Sequence, residues 1–210
     1  MWGVIPAAGR GSRVVDDHVN GCKELIVING RTMLQHTIDE LRAAEVDGIV
    51  IVTSPNKPAI KTSLEESGEL TRGDIKFVEQ AEPNGLVDAI SQAIPICGEN
   101  MLVATPDNLY LRHPCPAYEL LRVHGTSQRC VIGVVPVVSP WGEMLGDTGR
   151  VDSLYNSKNS EHRALSGILE KRKTKPFPLT VPPRWRCTGR MIVTTEFWWH
   201  KVSSVFALVV

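Results

Sequence analysis

The sequence predicts an α/β fold, a Rossmann-like, mostly parallel sheet covered by helices on both faces. Three observations predict it. Across the first hundred residues, short apolar runs of strand length alternate with segments of helical period. The connection between the third and fourth of those runs holds a helix, as a right-handed crossover between parallel strands needs. The chain has 210 residues and is 42% hydrophobic. That is enough for one large α/β domain, or two small ones, burying roughly 70% of its unfolded surface.

The elements follow in order. Residues 2–5 form a short buried strand that runs into Pro6-Ala7-Ala8-Gly9, a loop. The spacing of Leu34, Ile38, Leu41 and Glu45 predicts a helix over 33–46, with Asp39, Glu40 and Arg42 on its other faces. Residues 48–52 are a continuous apolar run, hence a second strand. A helix over 58–68 has Pro58 near its start and Gly68 at its end. A third strand over 75–78, a helix over 86–94 and a fourth strand over 101–104 complete the regular half.

The remainder is less regular. Residues 117–124 suit a helix and 130–138 a strand. Residues 139–166 are rich in Gly, Pro, Asn and Asp, with one strand expected around Val151. Four prolines (176, 178, 182 and 183) interrupt the stretch before Trp185. A strand over 190–194 and a short helix over 196–202 close the reading.

Lys+Arg and Asp+Glu both total 23, so the formal net charge is zero. That balance carries no electrostatic footprint for nucleic acid or an anionic membrane, and any anionic ligand has to be gathered by a local cluster of donors. The five cysteines are scattered without C-x-x-C spacing, which argues for reduced thiols. With no signal-peptide pattern and no run near about 20 apolar residues, a soluble cytoplasmic protein is expected.

Parallel sheets bind ligands beyond the carboxyl ends of their strands. Three segments satisfy that rule: the loop after Ile5, the segment after Val78, and Pro106-Asp107-Asn108. The first reads Gly3-Val4-Ile5-Pro6-Ala7-Ala8-Gly9-Arg10-Gly11-Ser12-Arg13, followed by Cys22-Lys23-Glu24-Leu25. Glycines at 9 and 11 permit positive φ and close approach of backbone to a ligand. Free amides there form an anion-binding concavity, Ser12 adds a hydroxyl, Arg13 a planar fork and Lys23 a mobile charge. The competing reading is an ordinary tight turn with two solvated cations. The segment is no P-loop, and Val14 stands where a dinucleotide fingerprint requires its last glycine.

This opening resembles that of the sugar-1-phosphate nucleotidylyltransferase family, approximately IPAAG-x-G-[ST]-R followed by PKE-[LM]. Two later blocks extend the likeness. Gln80-Ala81-Glu82-Pro83-Asn84-Gly85-Leu86-Val87-Asp88-Ala89-Ile90 resembles its Q-x-x-P-x-G-L-x-x-A-[IV] segment, and Thr105-Pro106-Asp107-Asn108 its [GP]-D-[ND] segment. The resemblance implies a nucleotide-diphospho-sugar transferase fold and Mg²⁺-dependent formation of a nucleotide sugar and pyrophosphate. The substrates would be a nucleoside triphosphate, UTP or dTTP favoured, and a sugar 1-phosphate. It implies one domain over 1–210, with a nucleotide-binding half (1–112) and a sugar-phosphate-binding half (113–210). A homo-oligomer stays open.

Position by position, the resemblance assigns Ala7, Ala8, Gly9, Gly11 and Ser12 to the nucleotide, with Gln80 and Gly85 at the base. Arg13 and Lys23 would hold the triphosphate, and Asp107 the Mg²⁺. Gly146, Glu170 and Lys171 would take the sugar phosphate, Lys171 also joining the catalytic set. Cys22 and Arg172 stand where the family has proline. The family also continues past the apolar run that ends this chain and supplies a second metal-binding Asp there, which leaves three readings open: another acidic residue substitutes, one metal suffices, or the chain is a C-terminally shortened fragment. Two other readings are a cytidylyltransferase acting on a phosphorylated alcohol and a truncated relative that binds nucleotide without turnover.

Overall fold

β1 (Trp2–Pro6) lies at the centre of the first sheet, with Val4 and Ile5 fully buried. In the computed structural model the described residues are 1–9, 22–98, 100–109, 115–127, 131–133, 150–156, 162–169, 192–194 and 207–209. Beyond residue 125, Val131 excepted, the description is of backbone. The chain divides into two units, Met1–Tyr118 and Glu119–Val210.

In the first unit, a 3₁₀ turn (Lys23–Leu25) precedes a small hairpin, β2 (Val27–Ile28) and β3 (Arg31–Thr32). The hairpin turns on Asn29 and Gly30, with φ of 52° and 78°. Both sit in the left-handed region, as the two-residue turn matching strand twist demands. α1 (Met33–Ala43) begins with a capping box: Gln35 N–H donates to Thr32 Oγ1 at 3.1 Å and Thr32 N–H to Gln35 Oε1 at 2.8 Å. It ends three residues before the expected Val46 because Glu45 takes φ 57°, which no α-helix continues through.

β4 (Ile49–Thr53) is buried throughout, and α2 (Pro58–Glu66) starts on its proline. β5 (Ile75–Glu79) leads to α3 (Leu86–Cys97), which runs beyond the expected residue 94 and carries Pro95 in its last turn. β6 (Met101–Ala104) is fully enclosed. The strand order is β5-β4-β1-β6, all parallel. Register pairs Val4 with Val50 on one side and Val103 on the other. Leu34, Ile38 and Leu41 fill the core from α1. A Cβ on Gly3 would stand 2.8 Å from Leu41 Cδ1, so that glycine lets the helix seat on β1. This is the α/β, Rossmann-like arrangement the sequence predicts.

α4 (Pro116–Ser127) follows, and then β7 (Val131–Gly133), β8 (Arg150–Asn156), β9 (His162–Leu169), β10 (Ile192–Thr194) and β11 (Ala207–Val209). Within the second unit the order is β11-β7-β10-β9-β8. β7 and β10 are parallel, and the other neighbours are antiparallel. β9 is a second strand in the stretch where only one was expected. The expected helix over 196–202 lies outside the described residues.

Candidate active site

The loops leaving the carboxyl ends of β1, β4, β5 and β6 meet at one edge of the first sheet. After β1, Ala7 N–H donates to Val52 O at 2.7 Å, which holds Ala7 and Ala8 in the core while Gly9 emerges. After β5, Gln80 N–H donates to Thr53 O at 2.8 Å, and the Gln80 side chain is only 4% exposed. A cavity of about 470 Å³ opens between these loops. Pro6, Ala8 and Gly9 form one wall, and Gln80, Gly85 and Leu86 another. The volume lies in the range of small-molecule sites.

Gly9 does not take the positive φ expected of it: the left-handed glycines among the described residues are Gly30, Gly68, Gly73, Gly85 and Gly98. A Cβ there would meet none of the described residues within 4 Å. Among the described residues, neither strain nor packing explains a glycine at this position. What its missing side chain does is leave the wall of the cavity bare.

Gln80 reaches across the cavity mouth to the start of α3. Its Nε2 donates to Gly85 O at 3.1 Å and to Asp88 Oδ2 at 2.6 Å. Gly85 caps α3 with φ 98°, a conformation that a side chain would strain. Its carbonyl also accepts from Ala89 N–H at 3.1 Å.

Beyond β6, Asn108 closes a turn by donating its backbone N–H to Thr105 O at 3.3 Å and its amide to Thr105 Oγ1. Asn108 is buried and Asp107 is left outside, its side chain 47% exposed. Lys23 Nζ donates to Asp107 Oδ2 at 2.6 Å. The structure thus brings the expected phosphate-binding cation to the expected metal-binding carboxylate. Among the described residues no cluster of three or more His, Cys, Asp or Glu could cage a metal. Asp107 Oδ1 accepts no bond from them.

A pair that sequence reasoning missed lies directly behind these groups. Lys57 Nζ donates to both Glu24 carboxylate oxygens at 2.9 Å and to Ala7 O at 3.0 Å, which uses all three of its N–H bonds. Lys57 is 6% exposed and Glu24 1%. One ammonium therefore joins the β1 loop, the Lys23–Leu25 turn and the start of α2. The available signal was position: Lys57 follows β4, at the same sheet edge as the other site loops. Cys22, next to the turn, is buried. Burial raises its thiol pKa, and Glu24 adds to that, while Lys57 pulls against it.

Ala7, Ala8, Gly9, Gln80 and Gly85 thus gather at or behind one cavity, and Lys23 meets Asp107. Gly11, Ser12, Arg13, Gly146, Glu170 and Lys171 lie outside the described residues.

A family described as MobA-like NTP transferase domain matches residues 3–156. The UTP–glucose-1-phosphate uridylyltransferase of Bacillus subtilis (strain 168) is 27% identical over 94% of this chain and 72% of its own length. That of Salmonella typhimurium is 25% identical over 93% and 73%. Among solved structures, a UTP-bound UGPase from Acinetobacter baumannii aligns with a TM-score of 0.65 at 23% identity, covering 82% of this chain and 68% of that one. A UDP-glucose pyrophosphorylase complexed with UDP-glucose aligns with a TM-score of 0.67 at 21% identity, covering 81% and 68%. The structural likenesses speak to fold. No described helix is long and apolar enough to cross a membrane.

Proposed function

The chain belongs to the MobA-like NTP transferase domain family, and from that membership we propose that it transfers a nucleotidyl group from a nucleoside triphosphate to a sugar 1-phosphate. The products are a nucleotide sugar and pyrophosphate, with UTP or dTTP as the favoured donor. What supports the reading most is the contact between Lys23 and Asp107 at 2.6 Å. The cation expected to bind phosphate and the carboxylate expected to bind metal stand together at the edge of the sheet that carries the cavity.

The reaction needs no protein nucleophile. An oxygen of the sugar phosphate attacks the α-phosphorus in line, and the bond to the pyrophosphate oxygen breaks as the new P–O bond forms. The protein's part is positioning and charge. The base enters the cavity beside Gln80, and its ribose rests against Ala8 and Gly9, where no side chain intrudes. Lys23 neutralises phosphate oxygens as negative charge moves onto the leaving pyrophosphate, a role that the resemblance also gives to Arg13 and Lys171. Asp107 would hold Mg²⁺, which when bound adds positive charge at the phosphates and orients them.

The uridylyltransferase relatives support UTP and a hexose 1-phosphate as first choices. The test is a pyrophosphate-release screen of UTP, dTTP, CTP, ATP and GTP against common sugar 1-phosphates and phosphorylated alcohols with Mg²⁺, with triphosphate binding measured by calorimetry alongside. Release that requires both a triphosphate and a sugar 1-phosphate is the expected result. Release with CTP and a phosphorylated alcohol instead, or binding without release, overturns it.

A further inference from the structure

We propose that Asp88 is a positioning residue that holds the Gln80 amide with its oxygen toward the cavity, so that the site selects a pyrimidine whose ring nitrogen N3 carries a hydrogen. This rests on the reading that the cavity receives the base. The two ends of a glutamine amide differ chemically: Nε2 only donates and Oε1 only accepts. Nε2 faces Gly85 O at 3.1 Å and Asp88 Oδ2 at 2.6 Å, and neither of these can donate. A flipped amide would press its oxygen against a carbonyl and a charged carboxylate. The orientation is therefore dictated by its partners.

Oε1 is the end left over. It accepts no hydrogen bond from the described residues. It is also absent from their buried, unpartnered side-chain atoms, which are Arg31 Nε and Thr53 Oγ1. Oε1 thus reaches open space, and Gln80 lines the cavity. Asp88 is itself anchored. It lies in the first turn of α3, where the helix N-terminus favours a carboxylate, and Gln92 Nε2 stands 3.5 Å from its other oxygen. Gly85 supplies the second acceptor by taking φ 98°.

An acceptor fixed at the pocket edge discriminates by pairing. The imide N–H of uracil or thymine gives it a partner. Cytosine presents a ring-nitrogen lone pair at the same place, leaving two acceptors opposed and unsatisfied. A site built to pair with an N–H rejects the analogue lacking it by about tenfold or more.

The test is calorimetric titration of the full chain with UDP, CDP and N3-methyl-UDP, for wild type, Asp88→Ala and Asp88→Asn. Thermal melts and pyrophosphate release from UTP plus glucose 1-phosphate are recorded alongside. Wild type is expected to bind UDP about tenfold or more tighter than CDP or N3-methyl-UDP. Asp88→Ala should lower the UDP-to-CDP ratio about tenfold, by loss of UDP affinity, with its melting temperature little changed. Asp88→Asn, whose Oδ1 still accepts from Gln80, should keep most of the ratio. An unchanged ratio in Asp88→Ala, or equal loss of both nucleotides, overturns the proposal. Undiminished binding of N3-methyl-UDP by wild type overturns it without recourse to any variant. Selective binding without pyrophosphate release leaves the role of Asp88 standing and removes the transfer reaction. Failure to bind either nucleotide removes both.

Discussion

Lys23 Nζ and Asp107 Oδ2 lie 2.6 Å apart although 84 residues separate them. Parallel pairing of β1 with β6 accounts for their meeting, because the loops that follow the two strands leave the sheet side by side. Both side chains are substantially exposed, at 30% and 47%. Such a pair contributes about 0–1 kcal/mol to stability. It holds the cation in place without burying it, so the ammonium is free to turn to phosphate when a triphosphate arrives. Lys23→Ala should therefore melt like the wild type and lose on the order of 10²–10³ in kcat, as preorganised charge at a transferring phosphoryl group implies. Near-normal turnover in that variant removes Lys23 from the site.

Asp107→Asn isolates the other partner. The amide keeps the size of the side chain and can still accept from Lys23, but it is a poor ligand for a hard cation. The expected outcome is a folded protein whose pyrophosphate release no longer rises with added Mg²⁺. A magnesium titration that superimposes on the wild-type curve sinks the metal assignment.

The Lys57–Glu24 pair calls for a different experiment because it is buried. Lys57→Met strands the Glu24 carboxylate in the core and should cost about 3–5 kcal/mol. Lys57→Met with Glu24→Gln removes the uncompensated charge and should recover much of that loss. Urea denaturation of the two singles and the double reads the coupling directly. A Lys57→Met variant as stable as wild type would show that Glu24 reaches water, contrary to its 1% exposure.

This buried pair also marks where sequence reading stopped. The alternation that gave β1, β4, β5 and β6 lies in contiguous apolar runs, and the motif segments sit at strand ends, so both were legible. Lys57 and Glu24 are each an ordinary charge in sequence, and only tertiary contact across 33 residues makes them one unit. Gln80 was legible as a site residue, but the direction of its amide depends on Asp88, eight positions on. Other misses were avoidable. Asn29-Gly30 is the strongest short hairpin signal there is, and it lay unread beside α1. β9 escaped because Gly167 and the polar residues among His162–Leu169 break the period-2 pattern.

Gly9 offers a test of the cavity that leaves packing alone. Its backbone is not left-handed and a Cβ would touch none of the described residues, so Gly9→Val should fold normally. The added side chain stands in the space proposed for the nucleotide. KM for the triphosphate should rise at least about tenfold, with the melting temperature held within a few degrees. Wild-type KM in this variant would mean that the nucleotide binds elsewhere.

Glu40 gives the fold a pH dependence separate from catalysis. Burial pushes its carboxyl up to about 8, although the Ala117 N–H that it accepts at 3.2 Å acts in the opposite direction. The unfolded chain titrates this group near 4.5. Between those values the folded state holds more protons than the unfolded one, so stability falls as pH rises from about 4.5 to about 8. Glu40→Gln keeps an oxygen for Ala117 and has nothing to ionise. It should match wild type near pH 4 and exceed it at pH 8, by no more than ~5 kcal/mol at 1.36 kcal/mol per pKa unit. Urea midpoints measured across that interval decide the matter, and parallel profiles for the two proteins would mean that Glu40 ionises as freely in the fold as out of it.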